Sequence, residues 1–276
     1  MTGALKYEWV RITSIRSSYW MSGLAVALSA GVAIILCLVV NAANGAGDLG
    51  DLAGQSTFST WIATSGASGP GMPILAAVFF AVMGCMAMGH EYRYGTNKAT
   101  LTALPDRVAV LAAKSVVLSG WVAATSVLIL LLNATIAWLF VDGMSLDGGS
   151  FRPMLFFMLY CVGFGLAGLM LSAITRNQVG SIVAVLVWPL VLEPIVFAIL
   201  RATALSGADI GLGKLANLLP ASAGRRTMFR PFDLFANLDV SSNTIIWGLG
   251  ASTAVFWIGI AILVAAGGTL FLKRDA

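Results

Sequence analysis

Six stretches of this sequence, roughly 20–42, 73–90, 108–140, 153–174, 179–200 and 245–272, are apolar for the length a helix needs to cross a bilayer. About 20 such residues cover the roughly 30 Å of hydrocarbon in a membrane. Runs of this kind leave few other solutions for the chain. The second is the shortest, and the third is long enough to project beyond the bilayer, with Lys114 in its first turns near the aqueous interface. The remaining composition agrees: 59% of residues are hydrophobic and 10% are charged, with a mean hydropathy of +0.91. A soluble domain carries about 25% charged residues. The expected fold is therefore an all-α integral membrane protein of six transmembrane helices, with residues 1–276 forming one transmembrane domain. No internal repeat and no appended soluble domain is visible.

Lysine and arginine in the connections set orientation in a membrane. With the N-terminus inside, Lys6, Arg11, Arg16, Arg93, Lys98, Arg107, Lys114, Arg176, Lys273 and Arg274 face the cytoplasm. Arg152, Arg201, Lys214, Arg225, Arg226 and Arg230 lie outside. The excess places both termini in the cytoplasm. Only the outer loop 201–244 runs against it, and long loops translocate largely regardless of charge. Residues 1–19 read as an interfacial helix with Leu5, Trp9, Ile12 and Tyr19 near one face and the basic groups towards lipid phosphates. Their polar, basic character, and the length of the apolar run that follows, do not match a cleavable signal peptide. The net charge of +4 belongs to these flanks. No basic footprint with interleaved aromatics accompanies it, so nucleic acid is not an expected partner.

Several motifs fail on their own structural conditions. The chain has no phosphate-binding loop of the G-x-x-x-x-G-K-[ST] type. Gly163, Gly165 and Gly168 match a dinucleotide fingerprint, but they lie inside an apolar span with no preceding strand. They read as helix-packing positions. His90-Glu91 begins a zinc-protease motif that Tyr94 breaks, and a single histidine leaves no metal site. Cys37, Cys85 and Cys161 sit in apolar runs as small core residues. Asn133-Ala134-Thr135 fits a glycosylation pattern but falls within a span. No catalytic set is present.

Three segments carry more information. Between the second and third spans the chain reads Gly89-His90-Glu91-Tyr92-Arg93-Tyr94-Gly95-Thr96-Asn97-Lys98. Thr96 is placed to cap a short helix reaching Leu104, with Thr100, Leu101 and Leu104 along it. Pro105 ends this helix and Asp106 opens the third span near its positive pole. The fifth span contains Pro189, Glu193 and Pro194. The prolines bend or break it. Glu193 is either a gate or lever in a polar interior, or an anchor for the bend near the outer interface. In the last outer loop, Asp209 caps a short helix bearing Leu212, Leu215, Ala216 and Leu219, which Pro220 stops. The first outer loop, about 43–72, is Gly- and Ser-rich, short-helical or irregular, and Pro70 and Pro73 bracket its exit.

In this order, three of these pieces make the chain similar to the ABC-2 type permeases, the membrane subunits of bacterial ATP-binding-cassette exporters. They are Glu91-Tyr92-Arg93-Tyr94-Gly95-Thr96 leading to Leu104-Pro105-Asp106-Arg107, Trp188-Pro189 with Glu193, and Leu219-Pro220-Ala221-Ser222-Ala223-Gly224. The resemblance implies a type V exporter-like permease fold, with both termini inside. It implies pairing with a second permease copy or a related permease, and docking of each copy on a separate ATPase subunit. ATP and magnesium would be used by that partner, not bound here. The family's coupling helix maps onto Thr96–Leu104 within the segment 91–107. Glu91 and Arg93 would hold it to the second span, while Lys98, Thr100 and Leu101 meet the ATPase. Substrates of such permeases include drugs, antimicrobial peptides and lipid-linked molecules, moved by alternating access. The rival readings are an ATP-independent transporter or channel, and a membrane scaffold or immunity protein.

Overall fold

The computed structural model describes residues 2–45, 56–65, 74–104, 106–141, 146, 148–205, 215, 218–228 and 249–273. Among them there is helix and no strand. The elements are α1 (Thr2–Ser14), α2 (Arg16–Gly45), α3 (Ser56–Ala63), α4 (Leu75–Tyr94), α5 (Asn97–Ala103), α6 (Arg107–Phe140), α7 (Phe151–Thr175) and α8 (Gln178–Val187). After α8 comes a π-helical turn (Trp188–Leu192). Then follow α9 (Glu193–Leu205), α10 (Pro220–Arg226) and α11 (Leu249–Lys273). Among the described residues, six helical segments are long and apolar enough to cross a membrane: α2, α4, α6, α7, the continuous α8–π–α9 rod, and α11.

α4 and α7 form the centre. Of their most apolar windows, 61% and 50% of residues are buried, against 22–28% for the other four spans. The contact between them depends on absent side chains. A methyl at Gly168 would run into the Ala81 carbonyl, and one at Gly84 into the Gly165 carbonyl. Gly163 does the same for the Phe256 ring of α11. Backbones approach this closely only where Cβ is missing, and dispersion then acts over the whole helix face. Phe80, Met88, Leu118, Phe157, Tyr160 and Leu169 fill the main core around this axis. At one end of the bundle a smaller cluster of Ala33, Cys37, Val40, Ile62, Ala137 and Val141 joins α2, α3 and α6.

Several boundaries depart from the sequence expectation. α4 runs four residues past 90, so Glu91 and Arg93 belong to its last turn and not to a loop. Gly95 then ends the helix at φ 67°, the left-handed conformation that glycine tolerates best. Thr96 sits at the start of α5 but makes no side-chain cap; its carbonyl instead accepts from the Thr100 hydroxyl at 3.1 Å. Leu104 lies just beyond α5. Asp106 does cap α6, accepting from the Ala109 amide at 3.0 Å.

The fifth span is not broken. The π-helical turn, closed by the Glu193 amide on the Trp188 carbonyl, carries the rod past Pro189. A wider turn relieves the clash between a proline ring and the carbonyl behind it. Pro220 opens α10 at its first turn, where no amide proton is needed, and so starts a helix where a stop was expected. The proposed cap Asp209, Leu212 and Ala216, together with Pro70, Pro73 and Pro105, lies outside the described residues.

Candidate functional site

At the end of the bundle that carries α5, charged side chains from three helices meet in the interior. On α1, Ala4, Glu8 and Ile12 recur every fourth residue and are all buried, which turns Glu8 inward. Arg11, three residues on, points the same way. Glu91 comes from the last turn of α4 and Lys114 from the third turn of α6. Lys114 is 2% exposed and Glu8 and Glu91 are each 4% exposed. Lys114 Nζ donates to Glu8 Oε1 and to Glu91 Oε1, both at 2.7 Å, and reaches the Ala87 carbonyl at 3.5 Å. Arg11 donates from Nη1 to Glu91 and from Nη2 to the same Ala87 carbonyl. Its Nε lies 3.6 Å from Glu8 Oε2.

Two carboxylates face two cations, so the cluster is neutral, and each charge has the partner that burial demands. Lys114, expected near water, is instead enclosed by the α1 helix. A cavity of about 30 Å³ adjoins the cluster between Ile12, Ser18, Met83, His90 and Lys114. That volume admits a water or two, far below the several hundred Å³ of a small-molecule site.

The same end holds α5 in place. The Tyr7 and Thr100 hydroxyls are 3.4 Å apart, which ties α1 to α5. Thr100 is buried and Leu101 packs against the main core. These two therefore fix α5 to the bundle. The exposed face of α5 is made by Ala99, Thr102 and Ala103, beside Thr96 and Gly95. The Lys98 side chain lies outside the described residues. The Arg93 guanidinium lies over the Tyr94 ring at 5.6 Å, on the surface. Glu91 holds α1 and α6 through Arg11 and Lys114. Arg107 Nη1 lies 3.4 Å from the Leu272 carbonyl, so the end of α11 shares this end of the bundle.

A second polar centre surrounds Glu193, which is 1% exposed. Its carboxylate accepts the Ala221 and Ser222 amides at 3.2 and 2.5 Å, binding the first turn of α10 to the fifth span. The Tyr160 hydroxyl donates to the Ala221 carbonyl at 3.3 Å, and Gly224 lets α10 press against the Tyr160 and Phe256 rings. Burial pushes the Arg225 guanidinium below its ordinary value, while Tyr160 and Glu193 act the other way. Glu193 is therefore a buried fastener of α10. Pro189 is buried in the π-helical turn, and Pro194 follows Glu193 in the first turn of α9.

A third centre is Asn133, fully buried in α6. Its Nδ2 lies 3.0 Å from the Ser29 and Ser65 hydroxyls and 3.2 Å from the Ala63 carbonyl, pinning the end of α3 between α2 and α6.

Sequence reasoning singled out Glu91 but missed its partners Glu8, Arg11 and Lys114. The signal was there: a lysine in the first turns of an apolar span implies a buried acid nearby. Glu8 and Arg11 are also one helical turn apart.

The fold and this cluster define a multi-pass helical membrane protein whose candidate spans are knit together at one end by internal ion pairs. Compared with models of known families the chain matches none, and compared with curated proteins it has no significant match.

Proposed function

We propose that the chain is the permease subunit of an ATP-driven exporter, moving a hydrophobic or amphipathic molecule by alternating access. It works with a second permease copy and two copies of a separate ATP-binding subunit. The observation that carries this reading is α5: a short helix between two spans, fixed to the bundle through Thr100 and Leu101 and presenting Ala99, Thr102 and Ala103 outward. Small side chains on a rigidly mounted helix suit close docking by a soluble partner. Force applied there passes through Tyr7 to α1, and through the ion pairs of Glu8, Arg11, Glu91 and Lys114 to α4 and α6. Those spans then switch between two packings, a population shift driven by the partner. The order of motifs along the chain supports the same reading. ATP and magnesium belong to the partner, and the membrane is the bacterial cell membrane with α5 in the cytoplasm.

Co-purification tests this. The tagged chain brings down an ATPase subunit and raises its turnover. Replacing Ala99 and Ala103 together by Arg, both on the exposed face, abolishes recovery of the ATPase and transport without reducing membrane insertion. Failure to recover an ATPase with the unaltered chain, or transport that continues in vesicles without ATP, overturns the reading in favour of an ATP-independent carrier.

A further inference from the structure

The break at Ile15 turns the chain from α1 into α2 and sets an exposed face at the corner. Arg16, Tyr19 and Trp20 line an open concavity of about 200 Å³ there. Its wall is held firmly. The Tyr19 hydroxyl donates to the Thr13 carbonyl at 3.0 Å, across the break. The Tyr19 ring meets Trp121 of α6 edge-on at 5.4 Å, with Trp9 of α1 on the same indole at 6.4 Å. Trp121 is fixed in turn by donating to the Ser22 hydroxyl at 2.9 Å.

Charge is sorted around this corner. Glu8, the carboxylate of α1, is turned into the bundle, and Arg11 is taken up there with it. The charged side chains that α1 and the first turn of α2 expose are Lys6 and Arg16. Along α2 the polarity then falls in register: Arg16, Trp20, Leu24 and Leu28 follow at every fourth residue, all on the surface. At about 1.5 Å rise per residue, Arg16 and Leu28 stand roughly 18 Å apart, about the depth of one leaflet. A guanidinium that pairs with phosphate, an indole that prefers the glycerol level and two leucines at acyl depth reproduce the profile of a membrane lipid from head to tail.

We infer that this corner is a binding site for one anionic glycerophospholipid, with its phosphate on Arg16 and an acyl chain along Trp20, Leu24 and Leu28. Lys6 adds a second, weaker attraction. The site depends on the chain lying in a membrane and not on what it transports, so it can fail while the exporter reading stands.

Native mass spectrometry of the full chain in a neutral maltoside detergent tests it, with phosphatidylglycerol and phosphatidylcholine of matched acyl chains added in turn. Phosphatidylglycerol is retained several-fold more than phosphatidylcholine. Arg16→Gln lowers that retention about fivefold, the effect of one interfacial charge, and leaves phosphatidylcholine unchanged. Arg16→Lys keeps most of the preference, and Lys6→Gln has the smaller effect. Arg16 is exposed, so an unchanged gel-filtration profile is expected for each variant, and Trp20→Ala supplies an independent loss of lipid. Equal retention of the two lipids overturns the proposal, as does an Arg16→Gln protein that still prefers phosphatidylglycerol. Displacement of the lipid by millimolar inorganic phosphate also overturns it, since the site would then serve a soluble anion.

Discussion

Lys114 and Gly168 show how much single side chains decide in this protein. Lys114 supplies both of the 2.7 Å contacts that neutralise Glu8 and Glu91. Lys114→Met leaves two buried carboxylates with Arg11 alone. Breaking a buried pair from one side costs about 3–5 kcal/mol, because the remaining charge loses its partner. Thermal unfolding in detergent should show that loss, and adding Glu91→Gln to Lys114→Met should recover a large part of it. Gly168→Ala acts by volume: its methyl meets the Ala81 carbonyl, so α4 and α7 must separate, at about 1–3 kcal/mol. Gly120 has open space around the same position, and Gly120→Ala should leave the melting temperature unchanged or slightly raised.

Among the elements, α10 is held at its start by a single side chain of another helix. It is seven residues long, too short to persist alone, and its first amides are held by Glu193 from the fifth span. Glu193→Leu removes both acceptors. Hydrogen exchange at Ala221 and Ser222 should then quicken by at least tenfold while α4 and α7 keep their protection. If exchange in α10 is unaltered, Glu193 is not its fastener. The π-helical turn before Glu193 matters for the same contact. One extra residue in the turn rotates everything after it, and so decides that Glu193 faces α10 rather than lipid.

For the whole molecule, the six candidate spans among the described residues bring the end of α11 back to the end of the bundle that carries α1 and α5. α1, α5 and the end of α11 gather at one end, as the Tyr7–Thr100 and Arg107–Leu272 contacts require. Lys6→Cys, Ala103→Cys and Lys273→Cys should therefore all react with a membrane-impermeant maleimide from the same side, the cytoplasmic one under the exporter reading. The natural cysteines are buried and contribute little background. Labelling of Lys273→Cys from the side opposite to Lys6→Cys would mean that one of the six helices does not cross.

The number of spans and their near limits were legible in the apolar runs, because a bilayer accepts helices of one length and composition whatever packs beside them. The basic flanks, the glycines of α7 and the short helix between the second and third spans were legible for similar local reasons. What the sequence did not reveal was which face of each element turned inward. Thr100 is buried and Leu101 half-buried, and both fasten α5 to the bundle. Leu5, Trp9, Ile12 and Tyr19 were expected to share one face; Trp9 and Tyr19 are exposed, while Ile12 is buried in a stripe with Ala4 and Glu8, because two buried charges on α4 and α6 needed Glu8 and Arg11. Such pairings join residues 80 to 106 positions apart, and only packed helices bring them within bonding distance.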